Sequence, residues 1–237
     1  VLGYLWSLVR PLLFFGVIYV VFTKVFHAGK GIPHYAVYLL AGIILWTFFL
    51  ETTQSSVQCL IAREGLLRKI RFPRLVIPLA VALTALFNLA TNSIAVLAFA
   101  IYEGISPQLS WLQVPLLVLL MAMFAVGIGM LLSALFVRFR DIQPIWEVVA
   151  QILFYGSPII YTASKYPESK VRILMCNPIA AIMTQMGHAF VDPSLKNAAV
   201  YIGGAVRLLI PLGIIGILFA LGLWFFNREA PLISERL

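Results

Sequence analysis

Charged residues are scarce in this sequence of 237 residues: Asp, Glu, Lys and Arg make up 11% of it, whereas 62% is hydrophobic. Soluble domains are typically about a quarter charged, so a water-soluble enzyme is excluded. The net charge of +8 is spread too thinly for a nucleic-acid-binding protein, and no nucleic acid partner is expected. The two cysteines are too few and too distant in sequence for a disulfide framework.

Residues that catalysis or nucleotide binding would need are also missing from the sequence. The three histidines lie in different segments, and no pair has the spacing of metal ligands. No phosphate-binding loop of the form G-x-x-x-x-G-K-S/T occurs, and no two carboxylates form an obvious acid–base dyad. We therefore predict that the chain is not an enzyme and that it holds no cofactor and no metal ion of its own.

Long uncharged runs dominate the sequence, and a helix that crosses a bilayer needs ~20 predominantly apolar residues. Six runs predict an all-α integral membrane protein with a single domain covering residues 1–237. The predicted spans are about 8–27, 35–62, 75–102, 111–137, 142–161 and 208–226.

A seventh uncharged run, 173–191, is interrupted by Asn177 and Pro178. Proline disfavours a continuous helix, so we interpret this run as a re-entrant pair of half-helices before the last span. Broken backbone at membrane depth must be buried in protein or line a wet cavity.

Basic residues predict the orientation of the chain. The loop between spans two and three, 63–74, carries five basic residues in twelve, and short cytoplasmic loops are enriched in Lys and Arg. Both termini are therefore predicted to be cytoplasmic, and the segment 162–207 to be external.

The basic loop itself, REGLLRKIRFPRLVIP over residues 63–78, has an amphipathic pattern. Leu66, Leu67 and Ile70 fall on one helical face. The basic side chains of this helix project elsewhere: Arg63, Lys69 and Arg71. The pattern fits an anchor that lies on lipid headgroups, and it also fits a short helix presented to a cytoplasmic partner.

Polar residues inside two spans predict helix contacts. Thr47, Glu51, Ser55 and Gln58 share one face of span two, where a carboxylate costs ~2.5–3.5 kcal/mol on insertion scales. This face either makes hydrogen bonds between helices or lines a polar conduit. In span four, small residues recur at positions 125, 129 and 133, which predicts close helix packing.

Four segments resemble bacterial ABC-2-type export permeases. The basic loop is similar to the family pattern N-L-I-R-K-x-x-F-P-R-x-x-x-P between spans two and three, and LFVRFRDI over 135–142 resembles N-V-R-Y-R-D at the end of span four. SPIIY over 157–161, followed by Asn177-Pro178, resembles the T-P-V-I-Y and N-P elements. VLGYLWSLVRPLL over 1–13 is similar to the segment that enters the first span. The four matches occur in the family's order, and they are most similar to the branch that exports lipid-linked polysaccharides.

The resemblance implies six spans, cytoplasmic termini and an external re-entrant pair. It also implies a homodimer in the bacterial cytoplasmic (inner) membrane, bound to two copies of a separate ATPase that holds ATP and Mg²⁺. An amphipathic interface helix of the family would precede Val1, outside this numbering.

Coupling to the ATPase is assigned by the resemblance to the helix 63–71, which would dock in a cleft of the partner. Its candidate residues are Arg63, Glu64, Leu66, Leu67, Lys69, Ile70 and Arg71. A second group would lie at the same cytoplasmic end, although a simple topological anchor also explains it: Arg138, Arg140 and Asp141.

Aromatic residues form 13% of the chain, and by default they face lipid or lie at the interfaces. The resemblance implies that some line a conduit, where the flat faces of sugar rings stack on aromatic rings. The candidates for the conduit lining are Phe15, Tyr19, Glu51, Tyr155 and Tyr161. The candidates for the external gate are Asn177 and Pro178.

Together these features predict the membrane subunit of an ATP-driven exporter. Its substrate would be a polyprenyl-diphosphate-linked polysaccharide that moves from the cytoplasmic to the external face, with membrane lipid around the protein. Export of a drug or small lipid is the alternative within the family. A membrane enzyme that acts on polyprenyl-linked sugars is the alternative from another class.

Overall fold

The structure is a computed structural model that describes residues 2–27, 29, 31–63, 65 and 73–236. These residues form helices joined by turns, and none of them lies in a strand, which confirms the predicted all-α class. In chain order the α-helices are α1 (Leu2–Val20), α2 (Tyr35–Val57), α3 (Val76–Tyr102), α4 (Gln113–Arg138), α5 (Ile142–Tyr155), α6 (Glu168–Leu174), α7 (Pro178–Met186), α8 (Ala198–Ile202) and α9 (Leu209–Arg236).

Four helical segments among the described residues are long and apolar enough to cross a membrane. They are Tyr35–Val57, Val76–Tyr102, Leu109–Arg138 and Ala205–Glu229. These segments contain α2, α3, α4 and most of α9, and they overlap the runs predicted as spans two, three, four and six, although α2 ends at Val57 rather than at residue 62.

The runs predicted as spans one and five have a different form. α1 has 19 residues with Pro11 inside it, and it continues into a π-helical turn, Val21–Val25. α5 has 14 residues, which is about 21 Å of helix against a hydrocarbon core of about 30 Å. The uncharged run extends to residue 161, but the helix ends at Tyr155 because Gly156 and Pro158 follow. Proline pushes the residue before it out of the helical conformation.

α2 is the central helix, and it contacts α1, α3, α4 and α5. Phe49 of α2 stacks on Phe124 of α4 at 5.6 Å between ring centroids. Trp46 of α2 lies 5.4 Å from Phe154 of α5. These apolar contacts bury most of α2. The few polar residues of α2 that remain exposed are therefore exceptions on an otherwise buried helix.

Small residues allow α4 to approach its neighbours closely. A Cβ atom on Gly127 would lie 2.7 Å from the Cα of Phe219 in α9, and one on Gly222 of α9 would collide with the carbonyl of Gly127. A Cβ on Gly129 would lie 2.7 Å from Oγ of Ser56 in α2. The predicted close packing at position 129 is confirmed, and glycine at these crossings has a steric reason.

The helix breaks at the predicted point, Asn177-Pro178, but the first of the two helices begins at Glu168, so only its last two residues fall within the run 173–191. α6 ends at Leu174, and α7 begins at Pro178 after Asn177, whose side chain accepts a hydrogen bond from the backbone N–H of Ile179 at 3.0 Å. An Asn cap followed by proline at the first helical position is a strong start signal. α7 is buried along its length and continues into a π-helical turn, Gly187–Val191.

The two ends of α2 mark the two ends of the bundle. Gln58 follows the last residue of α2 and hydrogen-bonds Gln143 at the start of α5. Tyr38, in the first turn of α2, donates a hydrogen bond to the carbonyl of Pro158 at 2.7 Å. At 1.5 Å per residue, Tyr38 and Gln58 lie about 30 Å apart along the helix axis.

Candidate functional site

A polar face runs along the second half of α2. Gln54, Ser55 and Gln58 are exposed and Glu51 is half-buried, although the rest of this helix is almost entirely enclosed. Thr47, predicted on the same face, donates to the carbonyl of Ile43 at 2.8 Å and therefore satisfies its hydroxyl within the helix. The open part of the face is thus confined to 51–58.

A matching polar face on α5 was missed by the sequence analysis. Glu147 and Gln151 are exposed and Gln143 is half-buried, and their spacing of four residues puts them on one side of the helix. Gln58 donates to the side chain of Gln143, which in turn lies 3.4 Å from Glu147. The spacing 143, 147, 151 was the available signal, and the contact with α2 joins the two faces into one wall, which we call the polar wall.

Glu51 is the carboxylate that α2 contributes to the polar wall, and two other helices supply its polar partners. Asn88 of α3 donates from Nδ2 to Oε1 of Glu51 at 2.6 Å. The guanidinium of Arg10 in α1 interacts with the same carboxylate electrostatically. Hydrogen bonds to a charged group are worth roughly 1.5–3 kcal/mol, which offsets much of the cost of a carboxylate at this depth.

The aromatic candidates on α1 occupy different environments. Phe15 is buried, with 7% of its surface exposed, and it stacks on Tyr19 at 5.5 Å and meets Phe99 edge-on at 5.8 Å. Tyr19 is half-buried and also stacks on Tyr35 at 6.2 Å. Within one chain, therefore, Phe15 lies behind Tyr19 and does not reach an open surface.

The structure brings Tyr155, the last residue of α5, together with Tyr161. Tyr155 is 67% exposed, and its carbonyl accepts a hydrogen bond from the hydroxyl of Tyr161 at 2.5 Å. The Tyr161 and Tyr166 hydroxyls are 2.6 Å apart. The neighbouring Phe154 lies 6.0 Å from Phe14, so α1 and α5 meet through their aromatic side chains.

The basic residues at the end of α4 have partners within the chain. Arg138 forms an ion pair with Glu229 of α9 at 3.0 Å, and Glu229 is buried. Arg140 lies over the ring of Phe136 at 5.2 Å, and Asp141 is exposed directly before α5. Glu229 was not singled out in the sequence, because nothing in the sequence links it to a residue 91 positions away.

Most of the predicted coupling segment lies outside the described residues. Arg63 is exposed at the end of a 3₁₀ turn, Ile61–Arg63. The other candidates of that segment belong to the part of the chain that is not described: Glu64, Leu66, Leu67, Lys69, Ile70 and Arg71.

The external gate candidates hold two segments together. Besides capping α7, Asn177 donates from Nδ2 to Oγ of Ser157 at 3.2 Å, so the turn after α5 is tied to the break between α6 and α7. Tyr35 and Tyr38 of α2 donate to the carbonyls of Ile160 and Pro158. Both motifs that the sequence analysis singled out separately, SPIIY and Asn-Pro, therefore belong to one hydrogen-bonded unit.

Comparison with known proteins gives consistent matches along the chain. The model of the ABC-2 type transporter family matches residues 1–190. An O-antigen export system permease of Klebsiella pneumoniae is 32% identical over 219 residues, which cover 90% of this chain and 83% of that protein. One of Myxococcus xanthus is 29% identical over 199 residues, covering 83% and 76%. A polysialic acid transport protein of Escherichia coli is 23% identical over 235 residues, covering 98% and 89%.

Proposed function

The chain belongs to the ABC-2 type transporter family, and we propose that it is the membrane subunit of an ATP-driven exporter of a polyprenyl-diphosphate-linked polysaccharide. Family membership implies an ATPase partner subunit, to which nucleotide binding belongs. The names of its relatives, which export O-antigen or transport polysialic acid, support a glycan as the substrate. The glycan moves from the cytoplasmic to the external face.

The polar wall is the observation that carries this proposal. Its amide and carboxylate side chains project from a membrane-length helix and its neighbour, and several of them are exposed. Polar groups exposed to hydrocarbon are expensive and, in membrane proteins, face the protein interior or a water-filled path. Hydrated sugars need such a path, whereas a drug or a small lipid does not.

The conduit forms between two copies of the chain, with α1 and α5 of each copy beside it. Tyr19, Tyr155 and Tyr161 supply aromatic faces on which sugar rings slide, and Phe15 supports Tyr19 from behind. Stacking contacts of this kind are weak and have no fixed register, which suits a moving polymer. Glu51 and the amides of the polar wall supply the hydrogen bonds.

Six spans carry this conduit across the bacterial inner membrane, with both termini cytoplasmic. α1 with its π-helical turn, and α5 with the segment that follows it to residue 161, complete the six spans together with the four membrane-length helices. α6 and α7 form the external re-entrant pair, and Asn177 and Pro178 at its tip form the gate. The hydrogen bond between Asn177 and Ser157 supports this role, because it couples the gate to the end of α5.

ATP-driven motion enters through the helix 63–71, which docks in the ATPase with Leu66, Leu67 and Ile70 in the partner's cleft. Its charged residues, Arg63, Glu64, Lys69 and Arg71, flank that cleft. The end of α4 lies on the same side, where Arg138, Arg140 and Asp141 contact the ATPase or anchor the loop. The ion pair of Arg138 with Glu229 supports the anchoring role for Arg138.

Proteoliposomes test the proposal directly. The permease and its ATPase are reconstituted with the ATPase outside, and a polyprenyl-diphosphate glycan is placed in the outer leaflet. We expect ATP to make the glycan resistant to an external glycosidase, and neither subunit alone to do so. Transport of small lipids or drugs without protection of the glycan would overturn the assignment.

A pair of variants tests the polar wall in the same assay. Gln58→Leu combined with Gln143→Leu removes the hydrogen bond that joins the two faces of the wall and makes that end of it apolar, so we expect glycan protection to fall strongly while protein yield stays normal. Thr84→Val is the matched control, because Thr84 is exposed on α3 and bonds its own helix at the carbonyl of Ala80. Equal transport by the double Gln variant and by the Thr84→Val control would mean that the polar wall does not line the conduit.

A further inference from the structure

Two arginines, which we call the arginine pair, converge at the turn between α8 and α9. A Cβ atom on Gly203 would lie 2.8 Å from Nη1 of Arg207 and 3.7 Å from Nε of Arg172. The two nitrogen atoms therefore lie within about 6.5 Å of each other, the sum of these distances. Nη1 of Arg207 donates to the carbonyl of Ile202 at 3.3 Å, which directs this guanidinium toward the turn. Gly203 has a φ of +89°, which favours glycine, and its missing side chain leaves the space between the arginines open.

The positive charge at the arginine pair is not balanced. The segment 162–207 contains five basic and two acidic residues. Among the side chains that the structure describes, neither guanidinium forms an ion pair with a carboxylate, and Asp192 instead accepts a hydrogen bond from the backbone N–H of Ser194 at 2.7 Å. Like charges at this distance repel each other, and guanidiniums present donors that match the oxygen atoms of a phosphate. An anionic group between the two arginines would replace this repulsion by charge-assisted hydrogen bonds.

The position of Arg207 along the last span puts the arginine pair at a membrane surface. The segment Ala205–Glu229 is long and apolar enough to cross a membrane, and it contains no charged residue between Arg207 and Arg228. At 1.5 Å per residue these two arginines lie about 31 Å apart, which matches the ~30 Å thickness of the hydrocarbon core. Arg228 lies over the ring of Trp224 at 5.5 Å, and tryptophan is enriched at the membrane–water interface. Arg207 therefore lies at the level of the lipid headgroups in the opposite leaflet.

Apolar side chains next to the arginine pair are exposed. Ile173 follows Arg172 directly and is 75% exposed, and Val206 precedes Arg207 and is 79% exposed. Leu209, at the start of α9, is 65% exposed. A surface that combines exposed apolar side chains with basic ones is typical of protein that lies at the boundary between lipid headgroups and acyl chains.

We propose that the arginine pair binds the phosphate of an anionic phospholipid, with Ile173, Val206 and Leu209 against its acyl chains. A phospholipid satisfies both parts of the surface, because its phosphate lies directly above its acyl chains. A headgroup with a net negative charge, such as phosphatidylglycerol, fits better than a zwitterionic one, whose amine would add a positive charge to a site that already has an excess. The bound lipid would tie α6 and α8 to the start of α9.

Native mass spectrometry of the full chain, released from detergent micelles, tests the proposal. Phosphatidylglycerol and phosphatidylcholine with the same acyl chains are titrated separately, and the population of protein with one bound lipid gives the Kd of each. We expect phosphatidylglycerol to bind about tenfold more tightly, as for the gain of a hydrogen bond to a charged group. Equal affinities for the two lipids would overturn the proposal.

Two variants and a control locate the bound lipid. Arg172→Gln and Arg207→Gln each remove one guanidinium, so we expect each to weaken phosphatidylglycerol binding by about tenfold and to leave phosphatidylcholine binding unchanged. Both side chains are exposed, so the midpoint of thermal unfolding without lipid should stay normal. Lys170→Gln is the matched control, because Lys170 is exposed in the same helix as Arg172 but residues two apart do not face the same side of a helix. Normal affinity in the two arginine variants, or an equal loss in the control, would contradict the site.

Two competitors identify the ligand. Glycerol 3-phosphate carries a phosphate without acyl chains, so it should not displace phosphatidylglycerol at an equal concentration, and displacement would make the arginine pair a plain phosphate site. A polyprenyl diphosphate that displaced phosphatidylglycerol at a tenfold lower concentration would assign the pair to that lipid instead and overturn the proposal. Because these measurements need neither ATP nor the ATPase, their outcome is independent of whether the chain exports a glycan.

Discussion

Exposure separates the aromatic residues that flank α1 and α5. Tyr155 presents most of its surface, whereas Phe15 is enclosed by Tyr19 and Phe99. Truncation of an exposed ring removes its contact with a ligand without disturbing the packing of the protein. Truncation of a buried ring leaves a cavity. The two kinds of residue should therefore respond differently to truncation.

We predict that Tyr19→Ala or Tyr155→Ala alone leaves partial export and that the double variant nearly abolishes it. Each stacking contact is worth only about 1 kcal/mol, so a sliding glycan tolerates the loss of one. The measurement is surface glycan together with permease abundance, in cells that depend on this chain for export.

Phe15→Ala is the control for that experiment, because it should lower the abundance of the protein through a cavity cost of about 3–5 kcal/mol. A normal amount of surface glycan in the Tyr19 and Tyr155 double variant would mean that neither residue lines the conduit.

Helix crossings depend on single glycines in α4 and α9. A side chain on Gly222 meets the backbone of α4, whereas an added Cβ on Gly216 in the same helix has no atom within 4 Å in the part of the chain that the structure describes. The same chemical change therefore has opposite consequences at two positions six residues apart.

Gly222→Ala should destabilise the protein by about 1–3 kcal/mol through overpacking, which lowers the midpoint of thermal unfolding by several degrees. Gly216→Ala should leave the midpoint unchanged or raise it, since alanine is favoured over glycine in a helix by up to about 1 kcal/mol. Thermal unfolding in detergent, followed by intrinsic fluorescence, measures both. Identical midpoints would mean that α4 and α9 do not cross at these glycines.

A second prediction at the scale of an element concerns the predicted coupling helix, residues 63–71. Leu66→Asp combined with Ile70→Asp places charges on the apolar face, so we expect the ATPase to be lost on co-purification and export to cease. Gly65→Ala is the control, because an added Cβ there meets no atom of the described residues within 4 Å. If the Asp variant still co-purifies with the ATPase and exports glycan, the helix 63–71 is not the docking element.

The arrangement of the whole chain across the bilayer can be tested with cysteines. In a background without Cys59 and Cys176, cysteines at Lys165 and Lys196 should both react with an impermeant thiol reagent added outside. Both positions are exposed and flank the pair α6–α7. A cysteine at the exposed Arg140 should react only after the membrane is opened. Labelling at Lys165 but not at Lys196 would mean that the run between them crosses the membrane.

Features that depend on local sequence were predictable for the whole molecule. The uncharged runs predicted the four membrane-length helices, and Asn177 with Pro178 predicted the break between α6 and α7. The end of α5 at Tyr155 was missed because the residues after it stay apolar, and hydropathy does not register the backbone restriction at Pro158.

Features that join distant segments could not be predicted. Glu51 meets Asn88, Gln58 meets Gln143 and Arg138 meets Glu229 across 37, 85 and 91 residues. Such contacts arise from packing, and the sequence shows only that each residue is polar.

The two polar partners of Glu51, Arg10 in α1 and Asn88 in α3, have a consequence for biosynthesis. The chain emerges from the ribosome in order, so α2 enters the bilayer after Arg10 has been made but before Asn88 is available. Insertion of the carboxylate costs ~2.5–3.5 kcal/mol, and Arg10 is the earlier of the two partners able to offset this cost. Arg10 would then interact with Glu51 while the chain is still being synthesised. This interaction would hold α1 and α2 together until α3 is inserted and Asn88 forms its hydrogen bond with Glu51.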